Sequence, residues 1–261
     1  MLLEQKNAVI YGGGGPVGSA VARAFAREGA RVFLAGRTQP ALDAAAQDIA
    51  AAGGSAETAR VDALDEPAVE RHLKDVARQA GRIDILFNAT SMEDVQGIPF
   101  VDLPVDQFTH PIDRAVRTHF ITSRAAARHM IGQRAGVIMT ITATPARMAF
   151  PDCGGFGVAC AAIEGFCRCL AAEVGPHGVR VVCLRSAGSP DSPGMMRATI
   201  DHAKEAGQPI EEFLKFLESQ TLLRRLPSLA DIGNTAALMA SDRANAVTAA
   251  VTNLTCGAIA D

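Results

Sequence analysis

Short apolar runs alternate with longer stretches of helical spacing from one end of this chain to the other. "NAVIY" (7–11) leads into a glycine cluster and then "VGSAVARAFAREG", whose apolar residues recur at helical spacing as far as Gly29. "RVFLAG" (31–36) is a second strand-like run, followed by an Ala-rich helical stretch that stops at Gly53 and Gly54. "SAETARVDA" (55–63), "IDILFNAT" (83–90), "GVIMTITAT" (136–144), "VRVVCLRS" (179–186) and "AAVTNLT" (249–255) read as further strands. Helical stretches separate them: one with Pro67 near its start, a long one over 105–133, one over 154–174, a Glu- and Phe-rich one near 209–220, and one over 229–241. Parallel strands need long crossovers, and crossovers of this length carry helices onto both faces of a sheet. The expected fold is therefore α/β, a Rossmann-type doubly wound parallel sheet. With no linker, repeat or second composition regime, residues 1–261 are expected to form a single domain.

Charge and cysteine usage narrow the function classes. A formal charge of -3 opposes recruitment of nucleic acid by general electrostatics, and no basic run suggests an anionic membrane. "MLLEQKNAVIYGGGG" has no basic segment followed by an apolar stretch and cleavage site, and no apolar run is long enough to span a bilayer. A cytoplasmic protein with a small-molecule substrate is expected. The six cysteines, Cys153, Cys160, Cys167, Cys169, Cys183 and Cys256, include no Cys-x-x-Cys pair and are expected mostly as buried thiols, with no metal site.

"YGGGGPVGSA" lies between the first strand and the first helix, where a phosphate-binding turn belongs. Glycine lets backbone N–H groups approach a pyrophosphate, and the helix N-terminus adds partial positive charge. A tight packing turn is the competing reading. Further landmarks follow in order, and over nearly its full length the chain resembles the short-chain dehydrogenase/reductase family. That family's Thr-Gly-x-x-x-Gly-x-Gly loop is similar to Tyr11-Gly12-Gly13-Gly14-Gly15-Pro16-Val17-Gly18, with Pro16 in place of the middle glycine. Its Asp after the third strand is matched by Asp62, and its Asn-Asn-Ala-Gly by "FNAT", which keeps Asn88 and Ala89. The stretch "RRLPSLADIGNTAALMASDRANAVTAAVTNLTCG" resembles the family's C-terminal helix and strand. The resemblance implies a cofactor site built from Gly12, Gly14, Gly15, Val17, Gly18, Asp62, Ala63, Asn88 and Ala89. It also implies a homo-oligomer, a tetramer, through the helices over 105–133 and 154–175.

The second strand ends Leu34-Ala35-Gly36-Arg37-Thr38, with no acid to bind both ribose hydroxyls. A guanidinium there suits a 2′-phosphate, so NADP(H) is the expected cofactor, the alternative being a solvated Arg37. The catalytic positions read differently. The family's Ser, Tyr, Lys and Asn fall at Ala143, Phe156, Cys160 and near Ala115. Tyr11 is the chain's one tyrosine, and no lysine lies between Lys74 and Lys204. Phe156 has no proton to give, and a thiol cannot supply lysine's fixed cation. A positioned acid or base contributes about 10²–10⁴-fold, whereas orientation contributes about 7–11 kcal/mol. The family's own carbonyl route is thus excluded while redox chemistry at an activated acceptor is not, with water or substrate giving the proton.

No catalytic residue is assigned from sequence. Thr142 and Thr144 are open as carbonyl-positioning groups or strand-end packing. Asp152 and Cys153 are open as substrate contacts, Cys160 as a nucleophile, and Arg147 as an anion ligand or a solvated side chain. His110 and His119 are expected at the surface or an interface rather than as bases. A divergent oxidoreductase is the leading reading. A catalytically inactive NADP(H)-binding protein, as sensor or partner subunit, and a non-redox lyase or isomerase are the alternatives.

Overall fold

The computed structural model describes residues 1–260. Seven parallel strands form one sheet: β1 (Asn7–Tyr11), β2 (Arg31–Gly36), β3 (Ser55–Arg60), β4 (Ile85–Asn88), β5 (Gly136–Ala143), β6 (Val179–Ser186) and β7 (Ala250–Leu254). Their order across the sheet is β3-β2-β1-β4-β5-β6-β7. The helices are α1 (Pro16–Arg27), α2 (Gln39–Ala51), α3 (Glu66–Ala80), α4 (Val105–Gln133), α5 (Phe156–Val174), α6 (Pro193–Glu205), α7 (Ile210–Ser219) and α8 (Leu229–Ala240).

Strand residues alternate between two cores, as a period of two requires. Val9, Tyr11, Leu86 and Ile138 pack with Leu73 of α3, Met130 of α4 and Ile163 of α5. Ala8, Ile10, Phe87 and Met139 pack with Phe25 of α1, Leu42 of α2 and Ile232 of α8. Because both faces are covered, the strands read as continuous apolar runs. The order reverses between β1 and β4, so the connections after these strands diverge and leave a crevice at their carboxyl ends.

Two elements differ from the sequence expectation. The third strand stops at Arg60, so Val61, Asp62 and Ala63 form a loop at the crevice rather than strand. A helix over Pro193–Glu205 stands in a stretch where no helix was expected. It starts with Pro193 in its first turn, where a missing N–H costs nothing, and turns Thr199, His202 and Ala203 inward at spacings of three and one. His202 stacks on Phe213 of α7 at 6.2 Å, which ties this helix to the next.

Candidate functional site

The turn after β1 is fixed by backbone contacts. Gly12 adopts φ +78°, and a Cβ there would lie 2.3 Å from the Ala89 carbonyl oxygen. A Cβ on Gly18 would lie 2.2 Å from the Gly12 carbonyl oxygen, so that glycine lets α1 close onto the loop. The Gly12 and Gly13 N–H groups donate back to the Ala35 carbonyl at 2.8 and 3.1 Å. Gly15 caps α1 without a side chain and Pro16 opens it. The first-turn N–H groups of Val17 and Gly18 therefore have no helical acceptor and lie at the positive end of the helix.

A cavity of about 380 Å³ begins at this turn. Gly12, Gly14, Gly15, Val17, Arg37, Asp62, Ala63 and Ala89 line it, as the sequence grouped them. Gly18 and Asn88 do not. Gly18 is buried beneath the turn, and Asn88 braces the following loop by accepting from the Thr90 N–H at 3.0 Å and donating to the Thr122 hydroxyl at 2.9 Å. Asp62 spends one carboxylate oxygen on the Leu64 N–H at 3.0 Å, which shapes its own loop.

Sequence reading missed two residues of this cavity region. Arg114, on the inner face of α4, is a buried cation lining the cavity, and its Nε donates to the Ser91 carbonyl at 3.0 Å. Glu93 ion-pairs with both Arg37 and Arg114 and lies 3.6 Å from His110. Burial alone would raise its pKa, but the Arg37 hydrogen bond and the Arg114 charge outweigh this and hold it below the usual carboxylate range. The available signal was a permanent cation at a position of α4 that shares its inner face with Ala115, Thr118 and Ile121.

Two more cavities continue the crevice. The next, about 250 Å³, shares Val17, Ala89, Thr90 and Ser91 with the first, and is also lined by Asn88, His119, Thr142, Ala143, Phe156 and Cys160. The third, about 700 Å³, shares Asp94, Ala143, Phe156, Gly188 and Met195 with the second. It is mostly apolar, with Met148, Phe150, Phe213 and Phe216 in its wall. Its ionisable lining is Asp94, Asp152, Cys153, His202 and Glu205, with no lysine or arginine among the described residues. Ala143 and Phe156 thus belong to the wall common to the two cavities.

The secondary candidates fall mostly into structural roles. His119 is not at the surface: it is fully buried, its Nδ1–H donating to the Ala115 carbonyl at 2.8 Å and its Nε2 accepting from the Thr140 hydroxyl at 2.6 Å. Desolvation pulls its pKa down to about 4, so it is a neutral structural group at pH 7. The Thr142 hydroxyl donates to Glu164 at 3.0 Å and is spent there. Burial pushes the Cys153 thiol up to about 12 and raises the Cys160 thiol as well, which removes both as nucleophiles at neutral pH. Tyr11 is buried, with its hydroxyl 2.9 Å from His72 Nδ1, far from an acid's role.

A doubly wound sheet with a glycine turn and a crevice at its switch point defines a Rossmann-type fold. A family model described as enoyl-(acyl carrier protein) reductase matches residues 15–258. The chain belongs to the short-chain dehydrogenase/reductase family, and it is an oxidoreductase of that type. It is 33% identical over 243 residues to the oxidoreductase MT0954 of Mycobacterium tuberculosis, covering 92% of this chain and 86% of that protein. It is 30% identical over 251 residues to the peroxisomal 2,4-dienoyl-CoA reductase of Pongo abelii, covering 96% and 82%. A solved structure from Beutenbergia cavernae, described as an NAD(P)-dependent gluconate 5-dehydrogenase with NADP bound at low occupancy, superposes with a TM-score of 0.85 at 25% identity, covering 99% and 98%.

Proposed function

We propose that this chain is an oxidoreductase that uses NADP(H) on an uncharged, largely apolar substrate bearing a conjugated carbonyl, without the family's Asn-Ser-Tyr-Lys set. One observation carries the reading. Three adjoining cavities that share wall residues run from the glycine turn and Arg37, by Ala143 and Phe156, to an apolar chamber of about 700 Å³.

The residues present fit a dinucleotide. Gly12, Gly14, Gly15, Val17 and Gly18 form a turn that any Cβ at Gly12 or Gly18 would fill, with the α1 N-terminus behind it. Asp62 and Ala63 would border the adenine, Arg37 the 2′-phosphate, and Ala89 the dinucleotide's middle, with Asn88 holding the loop beneath. When bound, the nicotinamide supplies a hydride. The chain's residues hold and orient the substrate in the apolar chamber. Hydride addition at the β-carbon of a conjugated carbonyl would break the C=C π bond and leave an enolate, whose α-carbon takes its proton from water. It therefore does not require a phenol at Phe156 or a cation at Cys160. The carboxylates Asp94, Asp152 and Glu205 in the chamber wall disfavour an anionic group inside it. The names of the family model and the dienoyl-CoA reductase relative are consistent with conjugated acceptors.

A cytoplasmic setting and a homotetramer belong to the same proposal. The six unpaired cysteines suit a reducing compartment, and no helix of the described residues is long and apolar enough to cross a membrane.

The test is NADPH consumption by the purified chain across enones, simple ketones and quinones. Enones are expected to outpace simple ketones by about 10²-fold or more, the contribution of an absent positioned acid. Ketones turned over faster than enones would overturn the reading, and so would no consumption with any member of the panel.

A further inference from the structure

Glu93 sits on the loop after β4 with φ +56°, a left-handed conformation that a glutamate adopts only where its surroundings hold it. Its backbone N–H donates to the Ser91 hydroxyl at 3.2 Å. One carboxylate oxygen, Oε1, receives both Arg37 and Arg114, the latter at 3.1 Å. The two guanidinium groups therefore converge on a single oxygen position at the rim of the first cavity. They arrive from different elements: Arg37 from the end of β2, Arg114 from α4. Their environments differ as well. The Arg114 side chain is 9% exposed and anchored to the Ser91 carbonyl, whereas Arg37 is 50% exposed and Glu93 37% exposed. The buried cation is anchored, and the carboxylate opposite it is the more exposed partner.

The two arginines facing Glu93 carry one net positive charge on a wall that also contains Gly36 and Thr38, and the remaining carboxylate of that wall, Asp62, is engaged by the Leu64 N–H. Planar guanidinium forks match a phosphate monoester as well as they match a carboxylate, and a dianion attracts them more strongly. We propose that Arg114 joins Arg37 as a second guanidinium ligand for the cofactor's 2′-phosphate, and that Glu93 is an internal counter-ion which the phosphate displaces. This rests on the reading of the crevice as a cofactor site. It makes NADP(H) preference a property of three residues from three segments, and it makes Glu93 a brake on that preference. A competing role for Glu93 is to accept hydrogen bonds from ribose hydroxyls, which would favour NADH instead.

Calorimetric titration of the full chain with NADPH and with NADH separates these. Glu93→Gln, at a half-exposed position, is expected to tighten NADPH about tenfold at low salt and to leave NADH within about twofold, the size expected when one charge opposing a charged hydrogen bond is removed. Arg114→Lys keeps the charge but loses the fork, and is expected to lower the NADPH-over-NADH ratio about tenfold. Arg114→Met is expected to lower it further. If the Met variant fails to fold by thermal melt, Glu93→Gln still decides. Glu93→Gln weakening NADH without strengthening NADPH would overturn the proposal, as would Arg114 variants that weaken both cofactors equally. A parent that prefers NADPH through Arg37 alone overturns this inference and leaves the proposed function standing. A parent that binds neither cofactor overturns both.

Discussion

Phe156, Cys160 and Ala143 share one wall of the second cavity, one helical turn and one strand end apart. These are the positions to which the family resemblance assigns Tyr, Lys and Ser, and their side chains carry none of that chemistry. A phenyl ring cannot donate a proton, and burial raises the Cys160 thiol despite a lowering contact with the Ala143 backbone. The geometry is therefore available for a gain-of-function test. Ala143→Ser, Phe156→Tyr and Cys160→Lys together are expected to raise NADPH-dependent reduction of simple ketones above the parent's level. Each change alone should add little, because groups acting as a unit are strongly non-additive. The measurement is ketone-dependent NADPH consumption, with cofactor binding and thermal melts run in parallel. A folded, cofactor-binding triple variant that gains nothing would mean the wall at Phe156 is shaped for another reaction.

Helix α5 is held against β6 by a buried ion pair directly behind that wall. Arg185 donates Nε to Glu164 Oε1 at 2.8 Å and Nη2 to Oε2 at 2.6 Å, and both side chains are almost fully buried. Thr142 adds a third bond from β5. Removing one partner strands a desolvated charge, so Glu164→Ala is expected to destabilise the fold by about 3–5 kcal/mol, read by chemical denaturation. Glu164→Gln, which retains an acceptor, should cost less. A loss under about 1 kcal/mol for Glu164→Ala would show that the pair contributes little. This pair also shows what a sequence withholds. Runs such as "VRVVCLRS" announce β6 because both its faces are buried, and the long helix over 105–133 appears with its observed ends. The glycine turn and Arg37 were legible because local spacing fixes them. The pairs Glu164–Arg185, Arg37–Glu93 and Glu93–Arg114 were not, since each joins segments that only the folded sheet brings together. Helix α6 was illegible for a different reason. Pro193 and Gly194 stand at its start and its inward residues include Thr199 and His202, so no apolar period marks it, yet it supplies Met195 and His202 to the third cavity.

The proposed homotetramer would use the outer faces of α4 and α5. On α5, Val158, Ala161, Gly165, Cys169 and Ala172 follow one another at helical spacing along the side turned away from the core, and all but Gly165 are exposed. On α4, Val116 and Phe120 are exposed, and the Phe120 ring meets Phe166 of α5 edge-on at 6.4 Å. Small residues on one helix let a second helix approach closely, and a twofold axis would bring the same stripe from each protomer together. Twofold pairing through this face, as one of the two interfaces of a symmetric tetramer, is the expected state, and sedimentation velocity at micromolar concentration reads it directly. Gly165 offers a selective disruption. A Cβ there would meet nothing nearer than an Arg168 guanidinium nitrogen at 3.8 Å, so the first atom of a side chain is accommodated within the protomer. Gly165→Glu is therefore expected to shift the protein to smaller species while preserving its helical content by circular dichroism. A parent that sediments as a monomer would overturn the assembly, and a Gly165→Glu variant that keeps the parent's size would move the interface elsewhere.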